Sequence, residues 1–424
     1  MLKTELKPQP LGLAGSFGFG DRLGLATPGH LAALRQAGGS IKGIFAQQSI
    51  REMTRTNRTA DQVMRCAVEA LAATEFDDVW GADADHLKTP DDVDVTAEAG
   101  FVFFTIDPSG HVDQSADDYD AATLDAKFKQ IAPDVPWVDT YRGRTVRIGD
   151  GPTIEFDEYT VRKAAVKYGK ALDHAIELAR YIQRTMKKRG TAYELELSVD
   201  ETPQPTTYAE HYIVADQLRE NGVKLISLAP RFIGDWEKGV DFKGDLEKLE
   251  DSLTGHAAIA NELGPYKLSL HSGSDKQSAY PILARATQGR FHIKTAGTSY
   301  LEALRVVALH EPELFRRIID FSRDRYTTDK ATYHVSATLE NTPPPSEVSD
   351  DLQLRELYLQ NWATTEKTMG FTQPGRQILH CTFGSVLKDP ELGGAVAQTL
   401  GEHRETYEQV LVEHFVYHLK RLTY

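Results

Sequence analysis

Three short motifs hold the residues best suited to chemistry: GADADHLKT (81–89), LHSGSDK (270–276) and HIKT (292–295). Asp83 and Asp85 stand two positions apart, with His86 directly after them. Paired carboxylates beside an imidazole can bind a divalent cation or serve as a general base. His271 is followed by small residues that leave room for a ligand. His86 and His271 with one carboxylate would make a facial site suited to Zn2+, Mn2+, Ni2+ or Fe2+. That carboxylate is open to three candidates: Glu237 or Asp241 in GDWEKGVDFKGD (234–245), or Glu196 in ELELS. No compact HExxH spacing occurs, so spacing alone does not establish a metal. Arg231 and Lys294 would add a cationic patch fit for a carboxylate or phosphate. Salt bridges to neighbouring carboxylates are the competing use of those two cations.

These residues need elements that aim them at one point. The runs TAYELELSVDET, VKLISLAPRF, YKLSLHSGSDK and FHIKTAGTSY alternate apolar and polar residues with the period of a strand. Leu195, Leu197 and Val199 take one face, Glu196, Ser198 and Asp200 the other; Ile293 likewise opposes His292 and Lys294. Four earlier runs (15–20, 40–48, 77–85 and 100–107) join them, with amphipathic helical patterns between. Eight β-then-α units within about 300 residues predict a (β/α)8 TIM-type barrel over 12–300; an open doubly wound sheet is the alternative with the same alternation. Residues 108–158 form an insertion after the fourth strand, with a hairpin over 144–156. Residues 301–424 read as a mainly helical extension packed on the barrel, with strand-like pieces at 332–338 and 377–387. His334 and His380 in those pieces could approach the site or pack, and packing is the favoured expectation. In such barrels reactive groups sit at strand C-terminal ends. That rule selects Asp21, Arg22, Gln47, Gln48, Asp83, Asp85, His86, Asp107, Asp200, Glu201, Arg231, His271, Lys276 and Lys294, and the alternation adds His292.

Composition removes several function classes. A formal charge of −14 offers no basic field for nucleic acid. Two distant cysteines, Cys66 and Cys381, exclude a disulfide framework and a CxxC zinc site. The N-terminal residues lack the pattern of a signal peptide, and no apolar run reaches the roughly 20 residues of a membrane span. A cytoplasmic protein with reduced thiols is expected. GSFGFGDRLG has neither GxGxxG nor GK[ST] spacing, and no GxSxG elbow occurs, which disfavours nucleotide binding and acyl-enzyme chemistry.

The set GSFGFGDRLGLATPGH, QQSIREMTRTNR, GADADHLKT, SVDETPQPTT, SLAPRFIGDWEKGVDFKGD, LHSGSDK and HIKTAGTSYLEALR resembles the tagaturonate/fructuronate epimerase family, which includes the tagatose 4-epimerases. The resemblance runs from about residue 12 to about residue 390. It implies a divalent-metal-dependent epimerase that inverts C4 of a ketohexuronate or the matching ketohexose. It further implies Asp85 as proton acceptor with Glu196 as its acidic partner, and His86, His271 and Glu237 as metal ligands. Gln47, Asp200, Arg231, Lys276, His292 and Lys294 are the expected substrate-binding set. C4 lies β to the C2 ketone, so its C–H is not acidified; reversible C3–C4 cleavage is favoured over proton exchange, and no nicotinamide fingerprint supports oxidation. A metal-dependent sugar isomerase or aldolase on the same barrel is the competing enzyme reading, and a sugar-binding scaffold the non-enzymatic one. The expected partner is a small-molecule sugar, without nucleic acid or membrane; a homo-oligomer is one open outcome.

Overall fold

The structure, a computed structural model, describes residues 6–423. Eight parallel strands close into a barrel: β1 (Ser16–Gly20), β2 (Lys42–Ser49), β3 (Gly81–Leu87), β4 (Phe103–Ile106), β7 (Glu194–Val199), β8 (Ser227–Pro230), β9 (Lys267–Leu270) and β10 (Phe291–Thr295). β10 pairs with β1 and completes the ring, so the (β/α)8 barrel is the observed architecture. β5 (Thr145–Arg147) and β6 (Thr153–Glu155) form the expected antiparallel hairpin, inside an insertion that also carries the helix Ala121–Ile131.

The helices start and stop where local chemistry dictates. Thr59 and Gln62 make a reciprocal capping box ahead of Ala60–Ala73. The helix Glu158–Arg189 begins on the Asp157 side chain and ends on Lys187, Lys188 and Arg189 before Gly190, whose φ of 65° closes the last turn. Its buried stripe, including Val161, Tyr168, Leu172 and Ile182, packs against the insertion helix and Tyr208–Glu220. Outward-facing Leu195, Leu197 and Val199 are buried beneath this helical layer.

The barrel interior is unusual in carrying ions. Glu194 accepts the backbone N–H of Leu11 at 3.1 Å, and Lys267 donates to Ser16 at 3.1 Å, both at the N-terminal end. Higher in the barrel, Asp83, Thr105, Glu196 and Lys294 are all buried. Buried charge is costly unless paired. This layer therefore has to be held by its own ion pairs.

Beyond the barrel the chain is helical, and the two strand-like pieces need correction. Residues 377–387 are helical, within Pro374–Cys381 and Phe383–Lys388. Residues 332–338 are irregular: they have strand composition but pair with no strand. Side chains satisfy that backbone instead, with Ala337 N–H donating to Gln377 Oε1 at 2.8 Å and Tyr326 O–H to the Ala337 carbonyl at 2.9 Å. The helix Arg404–Lys420 lies along Thr27–Ala37, fastening the end of the chain to its first barrel helix. Among the described residues no helix is long and apolar enough to cross a membrane.

Candidate active site

A cavity of about 580 Å³ opens at the C-terminal end of the barrel strands, and Asp85, His86 and His271 are in its wall. Strict alternation on β3 would send His86 away from Asp85. Instead the pairing of β3 with β4 slips between Ala84 and Leu87, and His86 adopts φ 53°, in the left-handed region. A bulge of this kind re-aims one side chain. Both residues consequently face the cavity.

The two imidazoles are held in the same way. His86 Nδ1 lies 3.0 Å from Asp107 Oδ2, and His271 Nε2 lies 2.6 Å from Glu196 Oε1. Each ring has a carboxylate on one nitrogen, which leaves the other without a hydrogen bond. The free nitrogens have carboxylates nearby: His86 Nε2 is 3.7 Å from Asp85 Oδ1, and His271 Nδ1 is 3.5 Å from Asp200 Oδ1. A carboxylate on the far nitrogen is the usual outer partner of a metal-ligating histidine. Single donor atoms of Asp85, His86 and His271 all lie within 4.8 Å of one another. The residues fit a divalent cation with mixed nitrogen and oxygen preference.

Lys294 is the hub below. Its ammonium stands 2.7 Å from Asp85, 2.9 Å from Asp83 and 2.8 Å from Glu196, and donates to Thr105 Oγ1 at 2.6 Å. Burial opposes the charge on Lys294, but these three carboxylates raise its pKa above the ordinary lysine value. Burial likewise opposes ionisation of Asp85 and Glu196; His86, Lys294 and His271 outweigh it for Asp85, and Lys294 and His271 for Glu196, holding both well below the usual carboxylate range. His86 is pushed up to about 10, against burial, by Asp85 and Asp107. The carboxylates around this end of the cavity favour a cation in their midst.

Of the expected residues, Asp85, His86, His271, Asp200, Arg231 and Lys276 line the cavity. Glu196 and Lys294 lie beneath it. His292 is deeper, fully buried between Ser16 (2.9 Å) and Asp83 (3.5 Å), where burial lowers its pKa. Gln47 is buried inside the barrel, packed on the bare Cα of Gly18. Lys276 donates to the carbonyls of Glu237, Val240 and Ser274, and so braces two loops. Glu237 is not brought to the histidines. Its carboxylate accepts from Lys243 (2.6 Å), Ser336 (2.7 Å) and Gln377 (2.8 Å), and Asp85 is the carboxylate grouped with His86 and His271.

Other residues at the cavity had no periodic signal to reveal them. Lys238 reaches in from the loop after β8, and Arg51 forms a half-exposed ion pair with Glu201, itself one of the expected strand-end residues. Tyr333, His334 and His380 from the C-terminal extension also line the wall, where packing was expected of the two histidines. His380 occupies the space that a side chain on Gly297 would need.

A sequence profile described as tagaturonate epimerase matches residues 2–422. The chain belongs to the tagaturonate epimerase family. A tagaturonate/fructuronate epimerase from Thermotoga maritima is 41% identical over 420 residues, covering 99% of this chain and 82% of that protein. Two crystal structures of the fructuronate-tagaturonate epimerase from Cohnella laeviribosi, one with glycerol and one native, each superpose with a TM-score of 0.89 at 36% identity. Each pairing covers 98% of this chain and 83% of the other. As a member of this epimerase family, the chain is an isomerase.

Proposed function

We propose that this tagaturonate epimerase family member interconverts D-fructuronate and D-tagaturonate by metal-dependent inversion at C4. The observation that carries the reading is the pair of carboxylate-backed histidines with free nitrogens on one cavity. His86, His271 and Asp85 would hold the cation; when bound, it would polarise the ketone and stabilise negative charge that develops beside it. Asp85, with one oxygen tied to Lys294, accepts the proton of the C4 hydroxyl. The C3–C4 bond then breaks, its electron pair staying with the three-carbon enediolate while C4 becomes an aldehyde. After the aldehyde turns, the bond re-forms on its other face and the proton returns to the C4 oxygen. Glu196 does not reach the cavity, so its part runs through neighbours: Lys294 links it to Asp85, and His271 links it to the cavity wall. That relay supports a role for Glu196 as a proton reservoir rather than as a direct acid.

Two labels test the chemistry. A mixture of unlabelled and fully carbon-13-labelled fructuronate should yield tagaturonate containing three-carbon halves of each kind whenever fragments escape. Deuterium at C4 should stay in the product. Washout of that deuterium into water would replace bond cleavage with proton exchange at C4.

A further inference from the structure

Most cations buried in this molecule are closely paired. Lys294 has three carboxylates, Lys167 has Asp117 (2.7 Å) and Glu210 (3.2 Å), Arg22 has Glu52 (2.7 Å), and Arg305 has Glu302 (2.6 Å). Lys238 and Arg231 differ. Both line the cavity, and among the described residues neither has a carboxylate within ion-pair distance. The Lys238 ammonium has one hydrogen bond, 3.0 Å to Ser272 Oγ, beside His271 in the chain. Lys276, the third cavity cation without a carboxylate, is satisfied by three backbone carbonyls. In a protein with 62 acidic residues and a formal charge of −14, leaving Lys238 and Arg231 with no such set of acceptors is a specific choice. An enclosed cation without a counter-ion is unfavourable, and an arriving anion relieves it.

The cavity thus has two poles. His86, His271 and Asp85 form one, beneath which Lys294 is saturated by its carboxylates. Lys238 and Arg231 form the other; both are carried by the segment that leaves β8, and Lys276 pins that segment through two of its carbonyls. We infer that Lys238 and Arg231 seat the C6 carboxylate of a hexuronate, and that Lys238 is the residue that sets preference for a ketohexuronate over the matching neutral ketohexose. This rests on the epimerase reading above, and it removes Lys294 from carboxylate recognition because that ammonium has no donor to spare.

Lys238→Met and Lys238→Arg test it in the metal-loaded enzyme, with kcat and KM measured on fructuronate and Ki for fructose as a competitor lacking the carboxylate. Losing a charge-assisted contact should raise KM about 10- to 100-fold. The Ki for fructose should move less than about threefold, kcat should fall much less than KM rises, and Lys238→Arg should restore most of the affinity. An unchanged KM, or KM and Ki rising together, would overturn the assignment. If the wild-type enzyme does not turn over fructuronate, the substrate reading has failed. Saturation-transfer NMR with glucuronate then decides the cradle separately. Binding lost in Lys238→Met would sustain it, whereas no binding to wild type, or equal binding to both, would end it.

Discussion

Among the described residues, the histidine–carboxylate cluster around His86 and His271 and the fully buried one around Asp275 have opposite designs. Around Asp275, His414 Nε2 lies 2.8 Å from Asp275 Oδ1 and His414 Nδ1 lies 3.0 Å from Glu302. His418 Nδ1 donates to the His414 carbonyl at 2.9 Å, and its Nε2 accepts from the Asp275 backbone at 3.2 Å. Arg376 and Arg305 cap the carboxylates at 3.0 and 2.6 Å. Three of the four imidazole nitrogens have hydrogen-bond partners and the fourth, His414 Nδ1, faces Glu302 at 3.0 Å; none of these residues lines the cavity that holds His86 and His271. Around His86 and His271 each ring keeps one nitrogen free beside an open space. The donor types are alike in both places. What separates a clamp from a reaction site is whether the last valence is closed.

The closed cluster still serves the open one. Asp275 lies four residues after His271, at φ 62°, and is gripped by helices of the C-terminal extension. Those helices hold the loop that presents His271. The same extension supplies Tyr333 and His380 to the cavity wall.

The contrast can be broken from either side. The largest effect is expected from the double change His86→Ala/His271→Ala: bound divalent metal lost and turnover down about a thousandfold or more, with the fold kept, measured by metal analysis and circular dichroism. Asp275→Ala should do the reverse, costing about 3–5 kcal/mol in denaturant unfolding because His414 and Arg376 lose their partner. Glu196→Gln removes the carboxylate behind His271 without unseating the ring and should weaken metal affinity about 10- to 100-fold.

Acidity should act through histidines away from the cavity, including His418 of the closed cluster, which burial lowers to about 4. Burial lowers His30 to about 4 and His256 to about 3, both below the roughly 6.5 of an unfolded chain. The unfolded chain therefore takes up protons first as pH drops. The contribution of these rings is full above about pH 7 and should decline from pH 6.5 towards 4, by about 1.4 kcal/mol per pH unit for each ring. Denaturant unfolding at pH 7.5 and 5.5 measures this, and asparagine at His256 should flatten the slope. Smallest of all, Glu237→Gln should leave metal content unchanged, since that carboxylate is tied to Lys243, Ser336 and Gln377.

Much of this layout could be read from the chain before folding. Polar residues at period two among Leu and Ile marked Glu196, His292 and Lys294 as inward, because few barrel walls tolerate that pattern without a use for it. Alternation could not supply His86, whose inward aim comes from a bulge that period two cannot represent. Its place at a strand end beside two aspartates, and the resemblance of GADADH, pointed to it instead. Loops carry no period either. GDWEKGVDFKGD offers two candidate ligand carboxylates, Glu237 and Asp241, and nothing in its spacing reveals that Lys243, six positions on, pairs with Glu237 in the fold. Lys238 passed unnoticed in the same loop, since its meaning lies in the carboxylates that are missing around it. TYHVSAT had strand composition, yet pairing needs an edge, and the closed barrel has none to offer.

The most direct test of the central claim is product analysis by NMR on fructuronate, using metal-analysed protein before chelation, after chelation and after metal is restored. Tagaturonate should form, cease when His86 and His271 lose their cation, and return on reconstitution. Undiminished turnover by protein verified to be metal-free would contradict a metal-dependent site at these two histidines.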